Sequence, residues 1–448
     1  PAYFYAENLL AHALSAGFAF LCIRRLVKSP WAAWVGAGLF ALHPIQVEAV
    51  SMAWTVYTPL SGMFALLALW QYLVYSDRRF GLGPDARTKS GWLNYGVATA
   101  AFVLGLLTKP QIVPLPLMAG AIEWGLRGRK PRQLLPLVPW LVVALLDVWA
   151  NRLSSPSAKV YVPETWQLPV VALDAIAFYL WKVCLPLHLT LDYGRSPWWL
   201  TQHPRAWATA LAPLALGITS WLLRKRLPAL ATSVAIFALG LLPTLGLVPF
   251  DFQTISTVSD RFAYLAMLGP ALLLARIMDH TRRPLAGVIG LAILLPLATL
   301  SLRQLRYWQD DWTVAAHLLE ENHESKGVIG SFRYLFSRYG HYDPPEAPFP
   351  ASSHCSLDRQ TLVRSGDLLR KARYWDLAEG CYRQALLKGR PDATLYDKLG
   401  ATLMGAIEPE RAAEAYREAL RIRPDDPQAR EGLQAALQSI GPRSQPSR

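Results

Sequence analysis

The sequence predicts an all-α protein, a polytopic transmembrane helical bundle followed by a helical-repeat tail. Two observations carry the prediction. Hydrophobic residues make up 52% of the 448 residues, and the mean hydropathy is +0.20 although the last third is plainly polar. A single soluble domain of this length rarely has such a balance. The second observation is a repeated spacing of small and aromatic residues near the C-terminus.

Crossing about 30 Å of hydrocarbon takes roughly 17 to 25 apolar residues in a helix. Ten runs qualify: 5–24, 31–49, 57–75, 92–108, 110–126, 133–150, 206–223, 228–248, 262–279 and 285–302. The 17 Trp and 34 Pro suit this reading, because Trp favours membrane interfaces and neighbouring helices tolerate Pro in a span.

Basic residues set the orientation. Arg24, Arg25 and Lys28 follow the first run, and Arg78, Arg79, Arg87 and Lys89 follow the third. Arg127, Arg129, Lys130 and Arg132 lie between 126 and 133, Arg224, Lys225 and Arg226 follow 223, and Arg282 and Arg283 follow 279. The opposite loops hold only Lys109, Arg152, Lys159, Arg195, Arg205 and Arg261. The richer set is cytoplasmic by the positive-inside rule. The net charge of +13 therefore belongs to loops between spans, and no nucleic-acid partner is expected.

An eleventh apolar run, 170–187, would flip every later loop if it crossed. With Pro169, Pro186, Pro197 and Trp198-Trp199, the segment 170–205 is read as lying on or dipping into the outer leaflet. The run 285–302 then crosses outward and places the tail outside the cytoplasm. The expected localisation is an integral membrane protein, of a bacterial inner membrane, with an extracytoplasmic repeat tail.

Four domains follow: a transmembrane domain over 1–302, a helical connector with a Pro- and His-rich loop over 303–356, a repeat domain over 357–440 and a disordered tail over 441–448. The connector is expected to begin as a helix continuing from the membrane, Arg303 to Glu324. In the repeat domain Ala378, Tyr382, Ala385 and Leu386 recur 34 residues later as Ala412, Tyr416, Ala419 and Leu420, and Gly366 and Leu369 as Gly400 and Leu403. Paired helices with that period are the tetratricopeptide signature. Two repeats are few, so residues 427–439 are expected to cap the stack.

The sequence opens on Pro1 and runs straight into an apolar segment, as expected of a piece whose own N-terminus is missing. Cys22 and Cys184 lie in apolar runs; Cys355 and Cys381 lie in the tail, where a disulfide or simple packing would each fit.

Ionisable groups at a membrane edge cost energy and so are candidate functional residues. The first cluster is His43-Pro44-Ile45-Gln46-Val47-Glu48. Its carboxylate could bind a hydroxyl, act as a base or hold a metal, or be a helix-end Glu solvated by headgroup water. Lys109, in the turn before Pro110, could neutralise a lipid phosphate or merely snorkel. Asp192-Tyr193-Gly194-Arg195 is also ordinary turn chemistry. In Asp260-Arg261-Phe262-Ala263-Tyr264 the Arg could grip phosphate oxygens, or pair with Asp260 to cap a helix start. A Walker loop, a Cys-x-x-Cys pair, His-Glu-x-x-His and a nucleophile elbow are all missing, which counts against an ATPase, a zinc protease and a serine hydrolase.

Taken together and in this order, the clusters and the repeats resemble the GT-C class of polytopic glycosyltransferases. The resemblance is to the members related to protein O-mannosyltransferases that carry tetratricopeptide repeats. The segment Tyr5-Ala6-Glu7-Asn8-Leu9-Leu10-Ala11-His12 looks like the family's second span, and Leu42 to Val50 matches its His-Pro…Glu motif. Leu106-Leu107-Thr108-Lys109, Tyr179 to Gly194, and Asp260 to Leu265 match three further motifs.

The resemblance implies a lipid-linked hexose such as mannose, moved from polyprenyl phosphate to a protein hydroxyl outside the cytoplasm. It implies catalytic roles for Glu48 and Asp260, donor-phosphate binding by Lys109 and Arg261, and substrate binding by His43, Asp192, Tyr193 and Tyr264. The implied partners are the polyprenyl-phosphate sugar, an acceptor protein, the bilayer and a protein on the repeats. No cofactor is expected, with room left for a divalent metal.

Departures matter. The family's acidic pair sits in a first outer loop upstream of anything here. Lys109 is followed by Pro110 where Glu is usual, and Thr55-Val56-Tyr57 follows Trp54 where Arg-x-Asp is usual. A catalytically inactive scaffold that recruits envelope proteins is the competing expectation. A lipid-linked polymer ligase or transporter is a third, against which the spans show no internal repeat.

Overall fold

The structure, a computed structural model, describes residues 2–52, 55–81, 91–154, 161–322, 326–339 and 355–440. Residues 340–354 of the Pro- and His-rich loop expected over about 340–356, the expected disordered tail over 441–448, and the loop residues Arg87, Lys89 and Lys159 lie outside the described residues. Among those described, helix is the only regular element. The chain forms two compact units, 1–306 and 307–448.

The described residues of the first unit form thirteen α-helices: α1 (Ala2–Arg24), α2 (Pro30–Leu42), α3 (Val47–Ser51), α4 (Tyr57–Phe80), α5 (Trp92–Thr108), α6 (Leu115–Gly125), α7 (Val138–Ser154), α8 (Leu168–Cys184), α9 (Pro197–Gln202), α10 (Leu211–Leu222), α11 (Pro228–Leu241), α12 (Leu268–Met278) and α13 (Arg283–Leu305). α4 packs along α1 and α5, α2 lies against α12 and α13, and α11 packs on α6 and α12. The helices are apolar on nearly every face, so the core is rich in Ala, Leu and aromatic side chains and the outside stays apolar too.

Three helices, Tyr5–Arg24, Pro131–Leu153 and Leu285–Trp308, are long and apolar enough to cross a membrane. Only 11% of the most apolar stretch of Leu285–Trp308 is buried, so its Leu285, Val288, Leu291 and Leu295 face outward. Apolar surface on that scale needs a non-aqueous neighbour.

Several expected runs are not continuous α-helix. The run 31–49 breaks at His43, the run 110–126 starts as a 3₁₀ turn over Pro110–Ile112, and the run 262–279 starts as one over Asp260–Ala263. Proline explains two of the breaks. A residue before Pro is pushed out of the α region, and His43 (φ −72°, ψ 130°) and Lys109 (φ −160°, ψ 126°) are both extended.

The unit has a polar cluster at each end of α4. At one end Asp77 pairs with Arg25 and Arg127, and Glu123 on α6 pairs with Arg127 and Arg129. At the other end Thr58 meets Lys109. Nineteen residues of helix separate Thr58 from Asp77, about 28 Å at 1.5 Å per residue.

The second unit holds α14 (Asp311–Glu321), α15 (Lys326–Tyr339), α16 (Arg359–Lys371), α17 (Trp375–Leu387), α18 (Ala393–Gly405), α19 (Pro409–Ile422) and α20 (Pro427–Ile440). The continuous helix expected over 303–324 is broken, because Asp310 is extended and its carboxylate caps α14 by accepting from the Thr313 N–H. Such a cap satisfies an N–H that a helix start leaves unpaired.

From α16 onward the architecture repeats every 34 residues. Asp358, Asp392 and Asp426 each cap the next helix, and Arg373 and Ile407 both take φ of +64° in the turn between paired helices. Gly366 and Gly400 lie so close to the Tyr382 and Tyr416 rings that a Cβ would sit 2.6 and 2.7 Å from them. α20 packs against α19, and Tyr416 again meets a glycine there, Gly432. All four cysteines are free, with Cys355 and Cys381 buried.

Candidate functional site

The site forms where the three interrupted segments meet. Ser259 is extended (φ −156°, ψ 144°), and the 3₁₀ turn after it brings Asp260 and Arg261 beside Glu48. Glu48 is 1% exposed, and it takes three donors. The Ser259 hydroxyl lies 2.9 and 3.0 Å from its two oxygens, the Arg261 backbone N–H reaches Oε2 at 3.0 Å, and the Arg261 guanidinium pairs with Oε1. The guanidinium also stacks near Phe252 and Phe262, 4.5 and 5.0 Å from their ring centres. The alternative pairing of Arg261 with Asp260 as a helix cap gives way to this one.

Asp260 is also 1% exposed and accepts a hydrogen bond of 2.7 Å from the Tyr193 hydroxyl. Burial pushes its carboxyl well above the usual range, and the Glu48 charge adds to the rise. Tyr193 is held by the turn that Asp192 makes, whose Oδ1 accepts from the Gly194 N–H at 2.7 Å with Gly194 at φ +63°. Asp192 therefore shapes the loop that carries Tyr193.

Lys109 donates to the Thr58 hydroxyl at 2.7 Å. Among the described residues no carboxylate lies within ion-pair distance of its amine. Burial lowers its pKa to about 7, the nearby Arg261 charge adds to the drop, and Glu48 opposes it. Lys109 thus shares an electrostatic field with Arg261 and Glu48 without pairing with either.

His43 and Tyr264 stand behind this group. His43 Nε2 donates to the Val183 carbonyl at 3.1 Å, while Nδ1 accepts from the Ile45 N–H and starts the turn after α2. The Tyr264 hydroxyl meets His12 Nδ1 at 2.9 Å. Because His12 Nε2 faces the Ala41 carbonyl, that nitrogen holds the proton and Tyr264 donates. The Tyr264 ring fills the space above Gly62, where a Cβ would sit 2.3 Å away.

Several residues that the sequence reading passed over build the site. Breaking helices frees backbone carbonyls that must find donors when buried. Gln46 donates to the Phe40 and Tyr264 carbonyls, and Gln111 to that of Phe262. Lys182 ties down the loop after α8 by donating to the Leu187 and His188 carbonyls, with its amine over the Phe178 and Tyr193 rings. Tyr179 and Ser259 complete the set. The signal available for the glutamines was position alone: each follows a proline that interrupts a span.

Chemically, the site offers a cation bound to a carboxylate, a second cation bound, among the described residues, only to a hydroxyl, and a buried carboxyl–phenol pair. No group of three His, Cys, Asp or Glu side chains gathers as a metal set among the described residues. No protein-family model and no curated protein matches the chain.

Proposed function

We propose that the chain is a polytopic membrane glycosyltransferase of GT-C-like architecture, which moves a hexose from a polyprenyl-phosphate donor to a protein hydroxyl. The observation that carries this reading is the Lys109 amine, partly buried beside Arg261 and bonded, among the described residues, to Thr58 alone. A desolvated cation without a carboxylate suits an anionic ligand, and a lipid phosphate is the anion expected at a membrane edge. The spacing of about 28 Å between the polar ends of α4 supports a crossing helix.

In this reading the bond from the sugar's anomeric carbon to the phosphate oxygen breaks, and the phosphate leaves with the electron pair. Lys109 meets the charge that develops there. The acceptor oxygen forms the new bond to the anomeric carbon as its proton passes to Asp260, whose carboxylate Tyr193 orients. Glu48, with three donors on it, positions Arg261 rather than taking a proton. His43 and Asp192 act through the backbone they fix, Tyr264 through its packing on His12 and Gly62, and substrate meets Tyr193. The tail, a tetratricopeptide array with α20 as its cap, would hold the acceptor or a partner outside the cytoplasm.

An inactive scaffold is favoured by one observation, that Glu48 and Asp260 are each 1% exposed and already hydrogen-bonded. Incubating the purified chain with a radiolabelled polyprenyl-phosphate hexose and extracytoplasmic proteins separates the two. Transfer that Asp260→Asn abolishes supports the enzyme; no transfer, with protein still captured by the tail, supports the scaffold.

A further inference from the structure

Tyr179 lies on α8, buried completely, and the reading above gives it no part. Its hydroxyl donates to the Ser259 carbonyl at 2.9 Å and accepts from the Ser259 N–H at 3.0 Å. Ser259 is an extended residue between a loop and a 3₁₀ turn; its carbonyl accepts from the Phe262 N–H at 3.0 Å, the first bond of that turn, whereas its N–H precedes the turn and has no helical partner. The phenol satisfies the N–H and gives the carbonyl a second donor. The same residue's side chain donates to Glu48, which in turn holds the Arg261 backbone and guanidinium.

We propose that Tyr179 is a positioning residue that sets the Arg261 cation through Ser259 and Glu48. The chain of bonds runs Tyr179 hydroxyl, Ser259 backbone, Ser259 hydroxyl, Glu48 carboxylate, Arg261. Each link is buried, where an unpaired polar group is costly and networks act as units. The neighbouring Phe178 packs edge-on to both Tyr179 and Tyr193, so one turn of α8 supports the two sides of the site, Arg261 through Tyr179 and Asp260 through Tyr193. Removing the hydroxyl takes away the acceptor of the buried Ser259 N–H and leaves the carbonyl with the Phe262 N–H, which loosens the turn that presents Arg261. The role in transfer rests on the proposed function; the role in holding Arg261 does not.

The test uses the full chain in nanodiscs, as wild type, Tyr179→Phe, Glu48→Gln and the double variant. Hydrogen exchange of the Arg261 amide is read first, because that N–H is bonded to Glu48 and not to Tyr179. In Tyr179→Phe it should exchange at least tenfold faster while amides of α4 keep their protection. Transfer from polyprenyl-phosphate hexose should fall about tenfold in kcat with the donor KM little changed. The double variant should lose no more than the worse single one, as expected of residues acting in series. An unchanged Arg261 amide in Tyr179→Phe overturns the proposal, as do additive losses in the double variant. A wild type without transfer but with the faster amide in Tyr179→Phe defeats the enzymatic reading and keeps the positioning role.

Discussion

Arg261 binds Glu48 twice, through its backbone N–H and through its guanidinium, across 213 residues of chain. The pair joins the broken end of the α2–α3 segment to the turn before α12. Removing one partner of a buried ion pair leaves the other charge uncompensated, which typically costs about 3–5 kcal/mol. Arg261→Ala is therefore expected to lower stability as well as any activity. The paired variant Glu48→Gln with Arg261→Met should recover most of that stability. Thermal unfolding of wild type, Glu48→Gln, Arg261→Met and the paired variant checks this; additive losses would mean the two side chains do not act as a pair.

The 34-residue repeat predicts matched responses in the tail. A Cβ on Gly366 or Gly400 would press on the ring of Tyr382 or Tyr416. Overpacking of this kind costs about 1–3 kcal/mol, so Gly366→Ala and Gly400→Ala should destabilise α16–α19 to a similar degree. Hydrogen exchange over those helices in the full chain reads the effect, and protection unaltered in both would remove the close approach from the account.

Proline placement, charge and the 34-residue spacing were legible because each acts locally. His43-Pro44 and Lys109-Pro110 announce helix breaks, and the breaks are where the site forms. Asp310 three residues before Thr313 was a readable helix start that the expected continuous helix overlooked. The partners were not legible. Nothing local distinguishes Tyr179 or Ser259 from its neighbours in sequence, and only a nearby proline marks Gln46 and Gln111. Their roles arise only when distant breaks come together and expose carbonyls and N–H groups to one another.

Tyr193 donates to Asp260, which holds the Asp260 pKa below where burial and Glu48 alone would put it. Tyr193→Phe removes that support for the charged form, so the pKa rises further. A base that must be ionised then works only at higher pH. The acidic limb of the pH–rate profile should move to higher pH in the variant, and a shift in the opposite direction would exclude Asp260 as the base.

Topology is open to direct labelling. Cys184 is the exposed native cysteine, so Cys184→Ser gives a quiet background. Lys225→Cys should react with an impermeant maleimide only after the cells are opened, and Gln438→Cys should react in intact cells. Labelling of Lys225→Cys from outside would reverse the assignment made from the basic loops.

The central claim is that Lys109 meets the phosphate of a lipid-linked donor, and its binding tests that claim most directly. Polyprenyl phosphate without sugar is titrated into the full chain in nanodiscs, for wild type and Lys109→Met, at pH 6 to 9. With a pKa of about 7, Lys109 loses its charge as pH rises through neutrality, so wild-type affinity should fall across that range. A bound phosphate would itself favour the charged amine and move the midpoint upward. Lys109→Met should bind at least tenfold more weakly at pH 6, show no such midpoint and keep its thermal stability. Equal affinity of the two proteins at every pH would contradict the account.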